Sequence, residues 1–147
     1  MREIKFRAKN KDKEWVYGLP HFYHEAGTWH ITQSNGWTPS YSNPDEGERT
    51  VFIGVDPNTI CQYTGLKDVT GTEIYENDVI EWEYEGTAGE SLGKYRDKVV
   101  FEAGCFSPFN NTAWYDYCVN LETLKILGNT IDSPSEEEEE YQYEKPM

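Results

Sequence analysis

Val79-Ile80-Glu81-Trp82-Glu83-Tyr84 decides the fold class. Ile80, Trp82 and Tyr84 alternate with Glu81 and Glu83, the two-residue period of a strand with one face on a core and the other in water. Outward from it the pattern repeats in short pieces. Val51 to Ile53, Thr59 to Tyr63, Lys98 to Glu102 and Leu124 to Leu127 have strand composition. Gly65 to Gly71 and Glu73 to Asp78 read as turns between them, and the Gly-rich, polar run Glu85 to Arg96 reads as a connecting loop.

At the start of the chain, Ile4, Phe6 and Ala8 alternate with Lys5, Arg7 and Lys9. Asn10-Lys11-Asp12-Lys13 is turn chemistry, and Trp15-Val16-Tyr17 returns as the second strand of a hairpin. Phe22, Tyr23, Trp29 and Ile31 around Gly27 suggest a second, looser hairpin. With 11 Tyr and 5 Trp against only 2 Met, aromatic richness argues for strands over a helical bundle. The expectation is an all-β protein, with short strands forming hairpins and a small barrel or bent sheet. It divides into an N-terminal hairpin region over 1–50, including a long polar loop at 33–50, a barrel region over 51–132, and an acidic tail over 133–147. Ser133-Pro134-Ser135-Glu136 has capping-box residues with Pro at the first helical position, so a short C-terminal helix is expected there. Five consecutive Glu residues fray it by mutual repulsion.

The formal charge of −14 repels nucleic acid overall. It is unevenly spread: residues 1–13 hold six cations against two anions, and residues 133–147 hold one cation against six anions. No stretch has the roughly 18 consecutive apolar residues of a membrane span. The charged N-terminus lacks the apolar block of a signal peptide. Cys61, Cys105 and Cys118 match no disulfide framework, which points to a reducing cytoplasm.

Three segments in order carry a family resemblance. They are Met1-Arg2-Glu3-Ile4-Lys5-Phe6-Arg7-Ala8; Gln62-Tyr63-Thr64-Gly65-Leu66-Lys67-Asp68 with Gly71, Glu73-Ile74-Tyr75-Glu76 and Asn77-Asp78-Val79-Ile80; and Ile126-Leu127-Gly128-Asn129. Together they resemble the YopX family of phage and prophage proteins over nearly the whole chain. Lys9 stands where an aromatic often follows the opening Arg-Ala, and the Glu run replaces the family's apolar closing segment. The resemblance implies a phage origin, hence the cytoplasm of a bacterial host, and a β-rich fold with an SH3-like barrel portion. It brings no established activity and no catalytic residue. The central motif reads as fold-determining, with Gly65 and Gly71 at turn positions and Asp78 bonding nearby backbone amides.

The remaining chemistry is thin. His21, His24 and His30 form the one histidine cluster, but positions three apart on a strand face opposite ways, so no metal site is assigned. Neither Cys105 nor Cys118 sits in a nucleophile motif, and Gly86, Gly89 and Gly93 lack the Gly-Lys-Ser/Thr ending of a phosphate loop. No catalytic residue, cofactor or enzymatic activity is assigned. The candidate binding residues are Lys5, Arg7 and Lys9, a basic strand face beside Trp15 and Tyr17, and the loop aromatics Trp37 and Tyr41. The expected function is an accessory protein acting by binding, to a protein partner or to itself as a homo-oligomer. The alternatives are nucleic-acid binding through the basic face, or mimicry of nucleic acid by the acidic surface.

Overall fold

The computed structural model describes residues 3–34, 50–85, 88, 90–109 and 119–134. Trp37, Tyr41 and the expected C-terminal helix beyond Pro134 lie outside them. The chain forms two compact units, residues 1–62 and 63–147, and the described elements are antiparallel strands with one short 3-10 turn. No helix among the described residues is long and apolar enough to cross a membrane.

In the first unit, β1 (Phe6–Lys9) pairs with β2 (Trp15–Tyr23), β2 with β3 (Thr28–Ser34), and β3 with β4 (Thr50–Gly54). The first turn is built by Asn10. Its side-chain oxygen accepts from the amides of Asp12 and Glu14 at 2.9 and 3.0 Å, which lets Lys13 take a positive φ of 62°. After β4, Val55 bridges to Asn10 and the Asp56 amide donates to the Lys9 carbonyl at 3.0 Å, so the chain returns to the end of β1. The 3-10 turn Pro57–Thr59 follows, capped by the Asp56 carboxylate.

Strand period 2 sorts this unit into two faces. Ala8 and Ile31 are fully buried on one, with Phe6, Val16, Phe22, Trp29 and Ile53 half-buried around them. The other face carries Tyr17, Leu19, His21 and Tyr23 of β2, all exposed. Gly18, opposite Phe6 on the buried face, is a glycine because a side chain has no room there: a Cβ would run into the Thr32 carbonyl oxygen.

In the second unit, β5 (Cys61–Lys67) pairs from Tyr63 onward with β6 (Glu73–Tyr75). β7 (Asp78–Glu85) lies between β8 (Ser91–Lys98) and β11 (Lys125–Asn129), and β9 (Val100–Glu102) and β10 (Cys105–Ser107) form a hairpin. Ile74, Ile80, Trp82, Tyr95, Val99 and Leu124 make the core. Trp82 and Tyr95 are opposite each other on β7 and β8, with rings stacked at 5.9 Å. Each buried side chain of this size contributes roughly 1.5–3 kcal/mol of burial free energy.

Two polar turns position these strands. Asp68 Oδ1 accepts from the Thr70 amide and hydroxyl and the Thr72 amide at 2.7–2.9 Å, closing the β5–β6 connection. Asn77 takes a φ of 69° at the β6–β7 turn, and Asp78, 1% exposed, accepts from the Tyr75 amide at 2.8 Å. The expected all-β class therefore holds, with local differences: β5 runs through Gly65 to Lys67, where a turn is expected, and β3 and β4 take Gln33, Ser34 and Thr50 from the ends of the expected loop. Glu73–Tyr75 is a strand rather than a turn because β5 supplies its ladder. Ser91–Lys98 is a strand rather than a loop because β7 pairs along its length.

Candidate functional site

The basic residues of β1 do not stand in water. Arg7 is 8% exposed, with its guanidinium 4.3 Å from the centre of the Trp15 ring. Lys9 places its ammonium 4.3 Å from the same ring and donates to the Lys13 carbonyl at 3.1 Å. Both follow from register: Arg7 is opposite Tyr17 and Lys9 opposite Trp15, so cations and aromatics share one face and meet there. Lys5 pairs with Glu3 at 3.6 Å. The three cations are thus neutralised or covered locally. The structure brings Arg7 and Lys9 together on Trp15 and leaves Lys5 at the rim of a separate groove.

That groove, about 520 Å³, is lined by Ile4 and Gln33 together with Tyr17 and Leu19 of the first unit's outer face. Ile4 is 60% exposed and Leu19 50%. Gln33 donates from Nε2 to the Tyr17 carbonyl at 2.9 Å. Farther along the same face, residues directly opposite one another continue the apolar surface. Leu19 faces Thr32, Thr32 faces Phe52, and His21 faces His30. Phe52 is 56% exposed.

The histidines fall differently from their order in sequence. His24 packs edge-on against Phe22, their ring centres 4.9 Å apart. His21 instead pairs with His30 across the hairpin, and the two line a pocket of about 300 Å³ with Tyr23 and Phe52. His30 Nδ1 is enclosed with no hydrogen-bond partner among the described residues, so packing fixes this ring. Sequence reasoning misses this pairing because it tests spacing within one strand. The signal that finds it is the four-residue connection around Gly27, which puts Tyr23 opposite Thr28 and therefore His21 opposite His30.

Among the described residues no three His, Cys, Asp or Glu side chains converge as metal ligands. The Cys61 thiol is buried and donates to the Thr59 carbonyl at 3.3 Å; that of Cys105 donates to the Glu102 carbonyl at 3.4 Å. In the second unit the conspicuous charged group is Glu81, 5% exposed, with Arg96 at 2.7 Å and Lys94 and Lys125 each at 3.9 Å. Register again explains it, since Arg96 and Lys125 are the direct neighbours of Glu81 on either side.

No curated protein matches the chain significantly. Among solved structures, the crystal structure of protein EF1440 from Enterococcus faecalis superposes with a TM-score of 0.51 at 19% identity. The match covers 91% of this chain and 97% of that one, so the fold is shared. The family model described as YopX protein matches residues 5–136, which include Asp68, Asp78 and all the described strands; the chain belongs to the YopX family.

Proposed function

We propose that the chain is a phage or prophage accessory protein that works by binding another protein, and that the outer face of β2, β3 and β4 is its contact surface. The observation that carries this reading is the run of exposed apolar side chains on that face: Tyr17 at 42%, Leu19 at 50%, Tyr23 at 45% and Phe52 at 56%. Apolar surface gathered on one sheet face and rimmed by polar groups is what interaction sites present. Tyrosines supply rigid amphipathic anchors there. Nucleic acid fits less well, because Arg7 and Lys9 are spent on Trp15 and the net charge is −14.

The test is affinity capture from a bacterial host lysate with the purified protein, compared with a Tyr17→Asp/Leu19→Asp variant. Both side chains are exposed, so the variant keeps the core. A protein band that survives nuclease and moderate salt, and is lost with the variant, supports the reading. Capture abolished by nuclease, or unchanged by the variant, rejects it. Light scattering on the same two proteins reads self-assembly: a dimer or larger species that the variant abolishes makes the partner a second copy.

A further inference from the structure

Four rings converge at one end of the open face. Phe52 meets His21 edge-on at 5.7 Å and His30 edge-on at 6.4 Å, and Tyr23 completes the wall of the pocket of about 300 Å³. None of the lining side chains is a lysine, arginine or carboxylate. The Tyr23 hydroxyl donates to Glu25 Oε2 at 2.9 Å, which holds an anion beside the rings.

We propose that this pocket is an aromatic cage for a guanidinium, the arginine side chain of a protein partner. The inference deepens the binding reading and rests on the outer face being the contact surface; it adds the chemistry of the side chain that surface takes. Phe52 and Tyr23 present electron-rich ring faces that attract a cation within about 6 Å of their centres, and the His21 and His30 rings, when neutral, add flat surface for a guanidinium to stack on. A guanidinium is planar and weakly hydrated, so it stacks in an open pocket without the cost of stripping a compact ammonium. Charge complementarity selects the same occupant: Tyr23 holds the Glu25 carboxylate by its hydroxyl and no lining side chain is a lysine or arginine, which favours a cation over a nucleotide phosphate. The volume also fits, since about 300 Å³ is at the small end of ligand sites and suits one side chain rather than a larger metabolite.

The experiment is NMR titration of the full chain with acetyl-Gly-Arg-Gly-amide and with its citrulline counterpart, which has the same shape without the charge. The expected result is a saturable shift of the His21, Tyr23, His30 and Phe52 resonances by the arginine peptide alone. Phe52→Leu, which keeps an apolar side chain but removes the ring, should weaken binding about fivefold. Phe52 is 56% exposed, so this variant keeps the fold. The cage is overturned by equal responses to arginine and citrulline, by shifts at acidic residues elsewhere, by no response, or by a Phe52→Leu titration matching the parent. Any of these, with partner capture still lost in the Tyr17→Asp/Leu19→Asp variant, removes the cage and leaves the contact face standing. Specific arginine binding with capture unaffected by that variant removes the contact-face reading instead.

Discussion

Arg96 Nε donates to Glu81 Oε2 at 2.7 Å, straight across the β7–β8 ladder, and covers a carboxylate that is only 5% exposed. Lys94 and Lys125 stand farther off, at 3.9 Å from the other oxygen. A buried anion depends on its closest partner, while half-exposed cations at longer range are screened by water. Arg96→Ala should therefore cost about 1–2 kcal/mol, and Lys94→Ala or Lys125→Ala less than about 0.5 kcal/mol each. Urea denaturation of the three single variants checks the order; equal losses would contradict it.

Asp68 holds a turn by accepting from two amides and a hydroxyl, with the Ile126 amide on its other oxygen at 3.4 Å. Partial burial pushes its carboxyl up, but the bonds from Thr70, Thr72 and Ile126 outweigh that and hold it below the usual value of 3.8. A lowered folded value means the ionised form stabilises the fold above the unfolded value, and this stabilisation is lost as pH falls through the folded one. Asp68→Ala should cost on the order of 2 kcal/mol at neutral pH. The gap from the parent should shrink in acid below pH 3.8, read from thermal melts at several pH values.

Asp97 has the opposite sign. It is opposite Ile80, a core residue, and burial pushes its carboxyl above 3.8; the Lys98 amide bond at 2.8 Å works against this, and Glu102 adds to it. A raised folded value contributes stability at low pH that is lost as pH rises through it. Asp97→Asn keeps an oxygen for the Lys98 amide and removes the charge. It should melt above the parent at pH 7 and lose that advantage as pH falls below 3.8. A variant melting lower at pH 7 would overturn this account.

Gly18→Ala tests a close backbone approach in the first unit. The added methyl runs into the Thr32 carbonyl oxygen and meets Ile31 Cγ2 at 2.9 Å. The β2–β3 ladder has to shift, at a cost of at least about 2 kcal/mol. Chemical denaturation measures it, and a neutral result would mean that the strands lie farther apart at this point.

The strand class is legible in the sequence because period 2 is a local property: Ile80 and Trp82 face the core as their spacing predicts. Glu81 shows where that reading stops. Its spacing places it on the wet side, and it is there, but Arg96 from β8 and Lys125 from β11 fold over it. The polar composition of Ser91–Lys98 hides a strand whose only evidence is its partner β7. Lys5, Arg7 and Lys9 illustrate the same limit at the candidate site. Alternation puts Arg7 and Lys9 on one face, yet their availability depends on Trp15, which only the hairpin register brings opposite Lys9. The histidine pocket needs two registers at once, β2 with β3 and β3 with β4, before Phe52 reaches His21.

Pro20 sits inside β2, and its place in the register has a further meaning. β1 begins at Phe6 opposite Gly18, so among the described strands nothing runs beside Leu19 to Tyr23 on that side. A strand margin without a ladder partner is a template for adding strands from other molecules, the first step of amyloid-like growth. Pro20 offers no amide hydrogen there, which interrupts the template where it would be most inviting. Pro20 therefore stands where a gatekeeper against edge-to-edge pairing of β2 is placed.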